Sequence, residues 1–280
     1  MATPIIPWVG FKGWQRESIV ELADRIPGPF ELSDSFFGGG GSLQALAGHK
    51  RLARVEVGDA SGPLCDLWEA LLRDPGHLRI EIENLWDQAP PKTHFYEVRK
   101  RTPTSAAALL YVLLWGFNGL MRFNLKGECN TPIGKGPRHD RPQEAIDRVF
   151  ARAAELVAPL KRREVMTYIE EGSFEDAFAA MVRRRYQPYV FSYSDPPFVG
   201  TFTGYSGRWT QAHLDSLVET IEMSAKARKG VYTLAGTSEN LAHLPDRGWA
   251  VQHFSRSSSV SCTSESRGQV VEALAVLERL

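Results

Sequence analysis

Residues 189–198 read YVFSYSDPPF, a short apolar run that stops at an acid, two prolines and an aromatic. Val190, Phe191 and Tyr193 are β-branched or aromatic and favour an extended strand. Pro196 and Pro197 have no N–H to give to a sheet ladder, so the strand must end there. A carboxylate, Asp195, is thereby held at the carboxyl end of a buried strand, where open α/β sheets bind their ligands. A stiff backbone and the flat face of Phe198 beside it suit a planar group that bears an amine. Asp-Pro also opens ordinary turns, so the meaning of the segment depends on the rest of the chain.

Helix and strand patterns alternate along that chain. A helix is expected over 15–26, with Ile19, Val20, Leu22, Ala23 and Ile26 on one face and Pro27, Gly28 and Pro29 as its stop. A short strand near 30–32 leads into DSFFGGGGS and a helix from Ser42. A second strand, 52–57, ends in Gly58 and Asp59, and a helix follows to about residue 72. Residues 74–104 are proline-bearing with no clear period and read as irregular. Helices are then expected over 104–115, capped by Thr104 or Ser105, and over 142–158. A strand near 165–169, a short helix from Phe174, the strand described above and a polar aromatic loop, FTGYSGRW, come next. A helix over 210–228, strands near 231–235 and 249–254, and a final helix over 269–280 complete the reading. Such alternation predicts an α/β fold with a mainly parallel sheet. The 280 residues suffice for one large domain, or a core plus a small one.

Two features suit a nucleotide-type ligand. Glycines between a strand and a helix let backbone approach a ligand closely, and the helix start favours polar or anionic groups. An acid ending the next strand, Asp59, is the usual partner of ribose hydroxyls in Rossmann-like folds; a turn or helix-cap role is the alternative. No GK[ST] follows the glycines, which excludes a P-loop.

Charge is balanced overall but not evenly spread. Residues 1–91 hold 8 Lys/Arg against 13 Asp/Glu, whereas residues 92–138 hold 8 against 2. That basic middle contains GFNGLMRFNLKGECNTPIGKGPRHDRP, too apolar for a linker and too broken for a core element. Aromatic and basic residues mixed on one loop suit contact with phosphates and bases; a structural hairpin beneath the core is the alternative. Cys65, Cys129 and Cys262 are scattered with no C-x-x-C pair, which argues for a reducing compartment and against a zinc site. The opening residues lack the basic and apolar regions of a signal peptide, and the longest apolar run, 106–117, is too short to span a bilayer.

Taken in order, the motifs resemble those of the Dam-type, class α adenine-N6 DNA methyltransferases (the D12 class). PWVGFKG is similar to the family's KWAGGK at Trp8, Gly10 and Lys12. DSFFGGGGS resembles EPFVGGGA at Phe36, Gly38, Gly39 and Gly40, and Gly58-Asp59 falls where the family has NDIN. HFYEVRK resembles the Tyr-x-x-Arg segment. The loop resembles FNGLxRxNxxGxFNxPxG at Asn118, Gly119, Leu120, Arg122, Asn124, Gly127, Asn130, Pro132 and Gly134. EEGSFED resembles GDFE, DPPF resembles DPPY, FTGY matches FTxY at Phe202, Thr203 and Tyr205, and the ending, with Arg267, resembles RSIS…R…ELL. Departures are Phe11 for glycine, Ser35 for proline, Phe198 for tyrosine, Cys129 for an aromatic, and AGTSEN where the family has a clear SN.

The resemblance implies a Rossmann-like, S-adenosylmethionine-dependent methyltransferase with a mostly parallel sheet. It divides the chain into a catalytic domain, 1–73 plus 160–280, and a small, mainly helical DNA-recognition domain with a hairpin loop, 74–159. It implies methyl transfer to N6 of a flipped adenine in duplex DNA, at GATC or a related site, by a cytoplasmic monomer without metal, in the manner of restriction-modification enzymes. Asp195, Pro196, Pro197 and Phe198 are the implied catalytic residues, with Asp195 and the Pro196 carbonyl accepting the amino hydrogens and Phe198 stacking on the base. Trp8, Lys12, Phe36, Gly38, Gly39, Gly40, Asp59 and Asp195 are implied to hold the cofactor. Phe117, Asn118, Leu120, Arg122, Asn124, Lys126, Asn130 and Pro132 are implied to meet DNA. Arg122 is suited to a guanine edge, Leu120 and Pro132 to thymine methyls, and Phe117 to a wedge in the space the base leaves. Two other readings stay open at this level: an altered acceptor, cytosine N4 or adenine in RNA, and a DNA-binding relative that has lost methyl transfer.

Overall fold

Buried strands need hydrogen-bonding neighbours, and this chain satisfies most of them in one sheet. A computed structural model describes residues 3–86, 91–102, 105–124, 126, 128–134, 142–203, 207–257 and 269–280. The strands are β1 (Phe30–Asp34), β2 (Leu52–Asp59), β3 (Met166–Glu171), β4 (Tyr189–Ser194), β5 (Phe202–Thr203), β6 (Gly207–Arg208), β7 (Gly230–Thr237), β8 (Ala250–Ser257) and β9 (Gln269–Arg279). Seven of them pair in the order β3-β2-β1-β4-β7-β9-β8, and β5 with β6 forms a separate ribbon. From β3 to β7 every neighbour is parallel. Only β9 runs against its neighbours, β7 and β8. The result is a Rossmann-like sheet, mostly parallel as the alternation predicts.

The helices are α1 (Arg16–Asp24), α2 (Gly41–Leu46), α3 (Gly62–Arg73), α4 (Pro75–Trp86), α5 (Pro91–Arg99), α6 (Ala106–Trp115), α7 (Pro142–Arg162), α8 (Phe174–Arg184) and α9 (Gln211–Ala227). Side-chain alternation along the strands divides them between two cores. Leu32, Phe191, Tyr193, Val231, Leu274 and Val276 pack with α1 to α7. Val190, Tyr232, Leu234, Ala273, Ala275 and Leu277 pack with α8 and α9. Residues 107–115 of α6 are buried all round, as an uninterrupted apolar helix requires. Its start is capped by Ser105, whose side chain accepts from the Ala108 N–H. Thr104, the other candidate cap, lies outside the described residues.

Three sequence expectations are corrected. Residues 269–280 form β9 rather than a helix. EALAVLE is rich in helix formers, but successive residues there feed opposite cores, and both strand edges are paired. An apolar run buried on both faces has no period to betray it, so tertiary pairing decides. Residues 74–104 are not irregular: α4 and α5 occupy most of them and bury Leu78, Ile82, Phe95 and Val98 against α6 and its neighbours. Two buried residues per helix are too few to show as an amphipathic pattern. Within FTGYSGRW, Phe202–Thr203 and Gly207–Arg208 pair as the antiparallel strands β5 and β6, and the buried Trp209 follows.

The basic loop is a hairpin. Gly116 bridges Ile133 and Phe123 bridges Cys129, both antiparallel. The Phe117 N–H donates to the Pro132 carbonyl at 2.9 Å and the Asn130 N–H to the Arg122 carbonyl at 2.8 Å. Phe117 is 48 % exposed, while Leu120 and Phe123 are half-buried.

The wholly buried strand β1 holds two acids, Glu31 within it and Asp34 at its end. Glu31 pairs with Arg228 at 3.4 Å, both almost fully buried. Arg228 also donates to the Met181 and Gln187 carbonyls at 2.8 Å each. Burial pushes the Glu31 carboxyl up to about 7 even beside the guanidinium. Arg228→Met strands a buried acid and two carbonyls, and is expected to lower the unfolding free energy by about 3–5 kcal/mol. Glu31→Gln, which keeps a hydrogen-bonding oxygen, is expected to cost less. Urea denaturation at slightly alkaline pH measures both.

Candidate active site

β1 and β4 are neighbours, but the chain leaves them toward opposite sheet edges, β2 and β3 on one side and β7 on the other. The carboxyl ends of strands at such a reversal enclose a crevice. Asp34 ends β1, Asp59 ends β2, and Asp195 follows β4, so three acids meet at its floor. A cleft of about 870 Å³ opens there, and all three line it.

The glycine turn forms one wall. Gly38 has φ +47°, and a Cβ on it would lie 3.0 Å from Trp8 Nε1. On Gly39 a Cβ would sit 3.2 Å from both Trp8 and Phe11. Asp59 ties this turn to β2: Oδ2 accepts from the Gly38 N–H at 3.0 Å and Oδ1 from the Ser61 N–H at 3.1 Å. The Gly38 carbonyl in turn accepts from Trp68 Nε1 at 2.8 Å. Gly40 does not line the cleft; it precedes α2 with φ +71°, and a Cβ there would strike the Trp68 ring at 2.6 Å. Its part is to let the turn pass over that buried indole.

Around Asp195 the polar groups are few and buried. Lys12 Nζ lies 3.7 Å from Asp195 Oδ1, 2.9 Å from Glu272 Oε2 and 4.7 Å from the centre of the Phe198 ring. Burial raises the Asp195 carboxyl to about 6, against the pull of Lys12. Asp59 stands at about 6, raised by burial against its backbone donors. Asp34 stands at about 7, raised by burial although it accepts from the Ser42 hydroxyl and the Phe36 N–H. Tyr193 Oη donates to Gln15 Oε1 at 2.6 Å, and burial drives its own ionisation well above the usual range.

An aromatic cluster closes one end. Phe36 stacks on Phe174 at 5.8 Å and meets Trp209 edge-on at 5.6 Å, and Trp209 stacks on His213 at 5.2 Å. All four line the cleft. Leu120, Met121, Arg122 and Phe123 from the hairpin also line it. Arg122 is exposed and positively charged over the opening.

Most of the expected site residues therefore share this one cleft: Trp8, Lys12, Phe36, Gly38, Gly39, Asp59, Leu120, Arg122, Asp195, Pro196, Pro197 and Phe198. Phe117, Asn124, Lys126, Asn130 and Pro132 sit elsewhere on the hairpin. Asn124 is engaged in building its tip: Oδ1 accepts from the Lys126 and Glu128 N–H groups, and Nδ2 donates to Glu128. Asn130 Oδ1 is buried without a hydrogen-bond partner, and Pro132 lends its carbonyl to Phe117. The Asn118 side chain, and Gly127, Lys135, Arg138, Tyr205, Cys262 and Arg267, lie outside the described residues.

Sequence reading missed Asp34, Phe174, Trp209, His213 and Glu272. Phe174 and Glu272 stand in segments that the resemblance covers, EEGSFED and the ELL-like ending. The helix expected over 269–280 obscured where Glu272 points.

Comparison with known proteins is consistent with this geometry. A family model described as D12 class N6 adenine-specific DNA methyltransferase matches residues 8–247. The chain is 25% identical over 285 aligned positions to a DNA adenine methylase of Vibrio cholerae, covering 97% of this chain and 94% of that protein. It is 22% identical over 289 positions to a Type II methyltransferase, M1.LlaDCHI, of Lactococcus lactis subsp. cremoris, covering 96% and 94%. It is 27% identical over 227 positions to the retron Ec67 DNA adenine methylase of Escherichia coli, covering 77% and 72%. Among solved structures, an rRNA methyltransferase of Streptomyces viridochromogenes aligns over 100% of this chain and 88% of its own at 15% identity, with a TM-score of 0.46, too low to carry an argument.

The buried acids make a prediction about stability. Asp34 ionises near 3.8 when exposed and at about 7 in the fold. Between those values the folded chain keeps a proton that the unfolded chain has lost, so unfolding releases it and rising pH favours unfolding. Asp59 and Asp195 act with the same sign up to about 6. Stability is expected to fall from about pH 4 to about pH 7. Asp34→Asn flattens that slope, as chemical denaturation across the range measures; equal slopes for the two proteins refute it.

Proposed function

The chain belongs to the D12 class N6 adenine-specific DNA methyltransferase family, and on that premise we propose that it moves a methyl group from S-adenosylmethionine to N6 of an adenine turned out of duplex DNA. The observation that carries this reading is the meeting, in one cleft, of the Asp195-Pro196-Pro197-Phe198 segment with the Gly38–Gly39 turn and Asp59, beneath Arg122.

The residues present fit the donor. The space a Cβ would fill at Gly38 and Gly39 lies against Trp8 and Phe11, leaving a cradle of bare backbone. Asp59 ends β2 beside it, and a carboxylate has about four acceptor sites, so lone pairs remain for ribose hydroxyls beyond its backbone donors Gly38, Ser61 and Ala60. Phe36, Phe174 and Trp209 offer apolar faces to an adenosine ring system, and Trp8 and Lys12 bound the remainder. When bound, S-adenosylmethionine supplies a methyl group made electrophilic by its positively charged sulfur.

The chain's own residues then address the acceptor. The adenine amino group is a poor nucleophile because its lone pair is delocalised into the ring. An ionised Asp195 and the Pro196 carbonyl accept its two hydrogens and favour a pyramidal nitrogen with a directed lone pair. As positive charge grows on that nitrogen these contacts strengthen, which lowers the barrier rather than only tightening binding. Phe198 holds the ring by stacking, and Pro197 stiffens the turn that presents it. An extruded base is the only form in which a duplex adenine reaches so recessed a carboxylate.

The segment 74–159 serves as the recognition part, and its hairpin is the DNA-facing element. Arg122 reads a guanine edge, Leu120 and Pro132 meet thymine methyls, and Phe117 fills the gap left by the base. Asn118, Lys126 and Asn130 add polar contacts, while Asn124 keeps the hairpin tip in shape. GATC is the proposed site, and the enzyme works as a cytoplasmic monomer. No described helix is long and apolar enough to cross a membrane.

Expression in a host without DNA methylation, followed by sequencing that detects modified bases, tests the proposal. N6-methyladenine at one short motif is the expected result; N4-methylcytosine, or no modification, overturns it. Asp195→Asn keeps the shape but offers one acceptor fewer. Followed at saturating S-adenosylmethionine, it is expected to lower the single-turnover rate by about 100-fold or more.

A further inference from the structure

The deepest cation of the cleft is held by a residue outside the catalytic segment. Lys12 Nζ is 2.9 Å from Glu272 Oε2 and 3.7 Å from Asp195 Oδ1. The three side chains are 8 %, 13 % and 17 % exposed, so water does little to screen them. Two carboxylates thus compete for one ammonium, and Glu272 has the shorter contact.

The fold explains why Glu272 keeps it. Glu272 lies on β9, paired on both edges, opposite Thr237 of β7 and Phe254 of β8. Its backbone is fixed by two ladders. Lys12 lies in the amino-terminal segment just before a single 3₁₀ turn, Gly13–Gln15, and its long side chain of rotatable bonds reaches both acids.

We propose that Glu272 is a positioning residue for methyl transfer: it holds the Lys12 ammonium off Asp195 and so leaves the Asp195 oxygens to accept the hydrogens of the target amino group. The inference rests on the function proposed above. It adds a requirement that the catalytic segment alone does not contain. Lys12 near Asp195 keeps that carboxylate ionised, whereas Lys12 on Asp195 occupies the acceptor that the base needs. Glu272 sets the balance between the two.

The groups that face Asp195 are Lys12 from the amino-terminal segment, Glu272 from β9, Tyr193 from β4 and Asp34 from β1. Glu272 disfavours the ionised form of Asp195 and so raises its pKa, and Lys12 favours that form and lowers it. Removing the Glu272 charge acts twice in one direction, by ending a repulsion and by letting Lys12 close on Asp195. Both effects carry the Asp195 titration down, and the closer contact takes up its lone pairs.

Single-turnover methylation of a duplex oligonucleotide, followed against pH in the full chain, tests this. Glu272→Gln is expected to move the acid limb of the rate profile down by about 1 pH unit or more. It is also expected to lower the plateau rate by about 10- to 100-fold, with S-adenosylmethionine binding within a few-fold of wild type. Glu272→Asp keeps the charge and is expected to keep the wild-type limb. A lowered plateau with an unmoved limb makes Glu272 merely structural and overturns the inference, as does a Glu272→Gln profile identical to wild type. Thermal melts report folding; if Glu272→Gln does not fold, Glu272→Ala, which also removes the charge, is read in the same way. A wild-type chain that methylates no DNA defeats the proposed function instead. A wild-type chain that methylates DNA, beside a Glu272→Gln variant that titrates as it does, defeats this inference alone.

Discussion

The parallel pairing of β1 with β4 is the constraint on which the rest of the molecule depends. Leu32 opposite Phe191 and Asp34 opposite Tyr193 set that register. It places the end of β1 beside the end of β4 where the strand order reverses, so the exits of both strands face one crevice. The glycine turn leaves from the first and the Asp-Pro-Pro-Phe segment from the second. A slip of one residue would send alternate side chains to the wrong core and move Asp195 out of reach of Lys12.

Buried charge gives the cleft its character. Asp34, Asp59 and Asp195 all titrate well above an ordinary carboxylate because burial disfavours their charged forms. Hydrogen bonds and one lysine offset part of that penalty. Asp34 and Asp59 use theirs to hold the glycine turn, through Phe36, Ser42, Gly38 and Ser61. Asp195 makes no such backbone tie among the described residues and answers to Lys12 and Glu272. Two acids thus shape the site, and the third is left available for chemistry. Clusters of perturbed acids in a cleft are a common mark of function, and here the division of labour follows from which donors each acid meets.

The hairpin and the aromatic cluster line the same cleft. In the hairpin, backbone bonds from Phe117 to Pro132 and from Asn130 to Arg122 hold a shape that carries an exposed cation and an exposed ring. Phe36, Phe174 and the Trp209–His213 pair instead come from three separate segments and are brought together by the fold. The first arrangement is local in sequence and the second is not, and this difference governs how well each could be foreseen.

By itself, the sequence determined the alternation of strands and helices, the strand that prolines must end at Asp195, the glycine turn, and Asp59 at the end of β2. Each follows from forces acting within a few residues: side-chain period, the missing proline N–H, the freedom of glycine. Motif resemblance added the hairpin and most residues of the cleft. Tertiary structure alone decided that 269–280 is a strand, because EALAVLE suits either form until β7 and β8 offer edges on both sides. It also decided that α4 and α5 are helices, since only contact with α6 rewards burying Leu78, Ile82, Phe95 and Val98. For the same reason Glu272 and Trp209 entered the site only with the fold: their partners Lys12 and Phe36 lie far away along the chain, and no local pattern records a contact that long-range pairing creates.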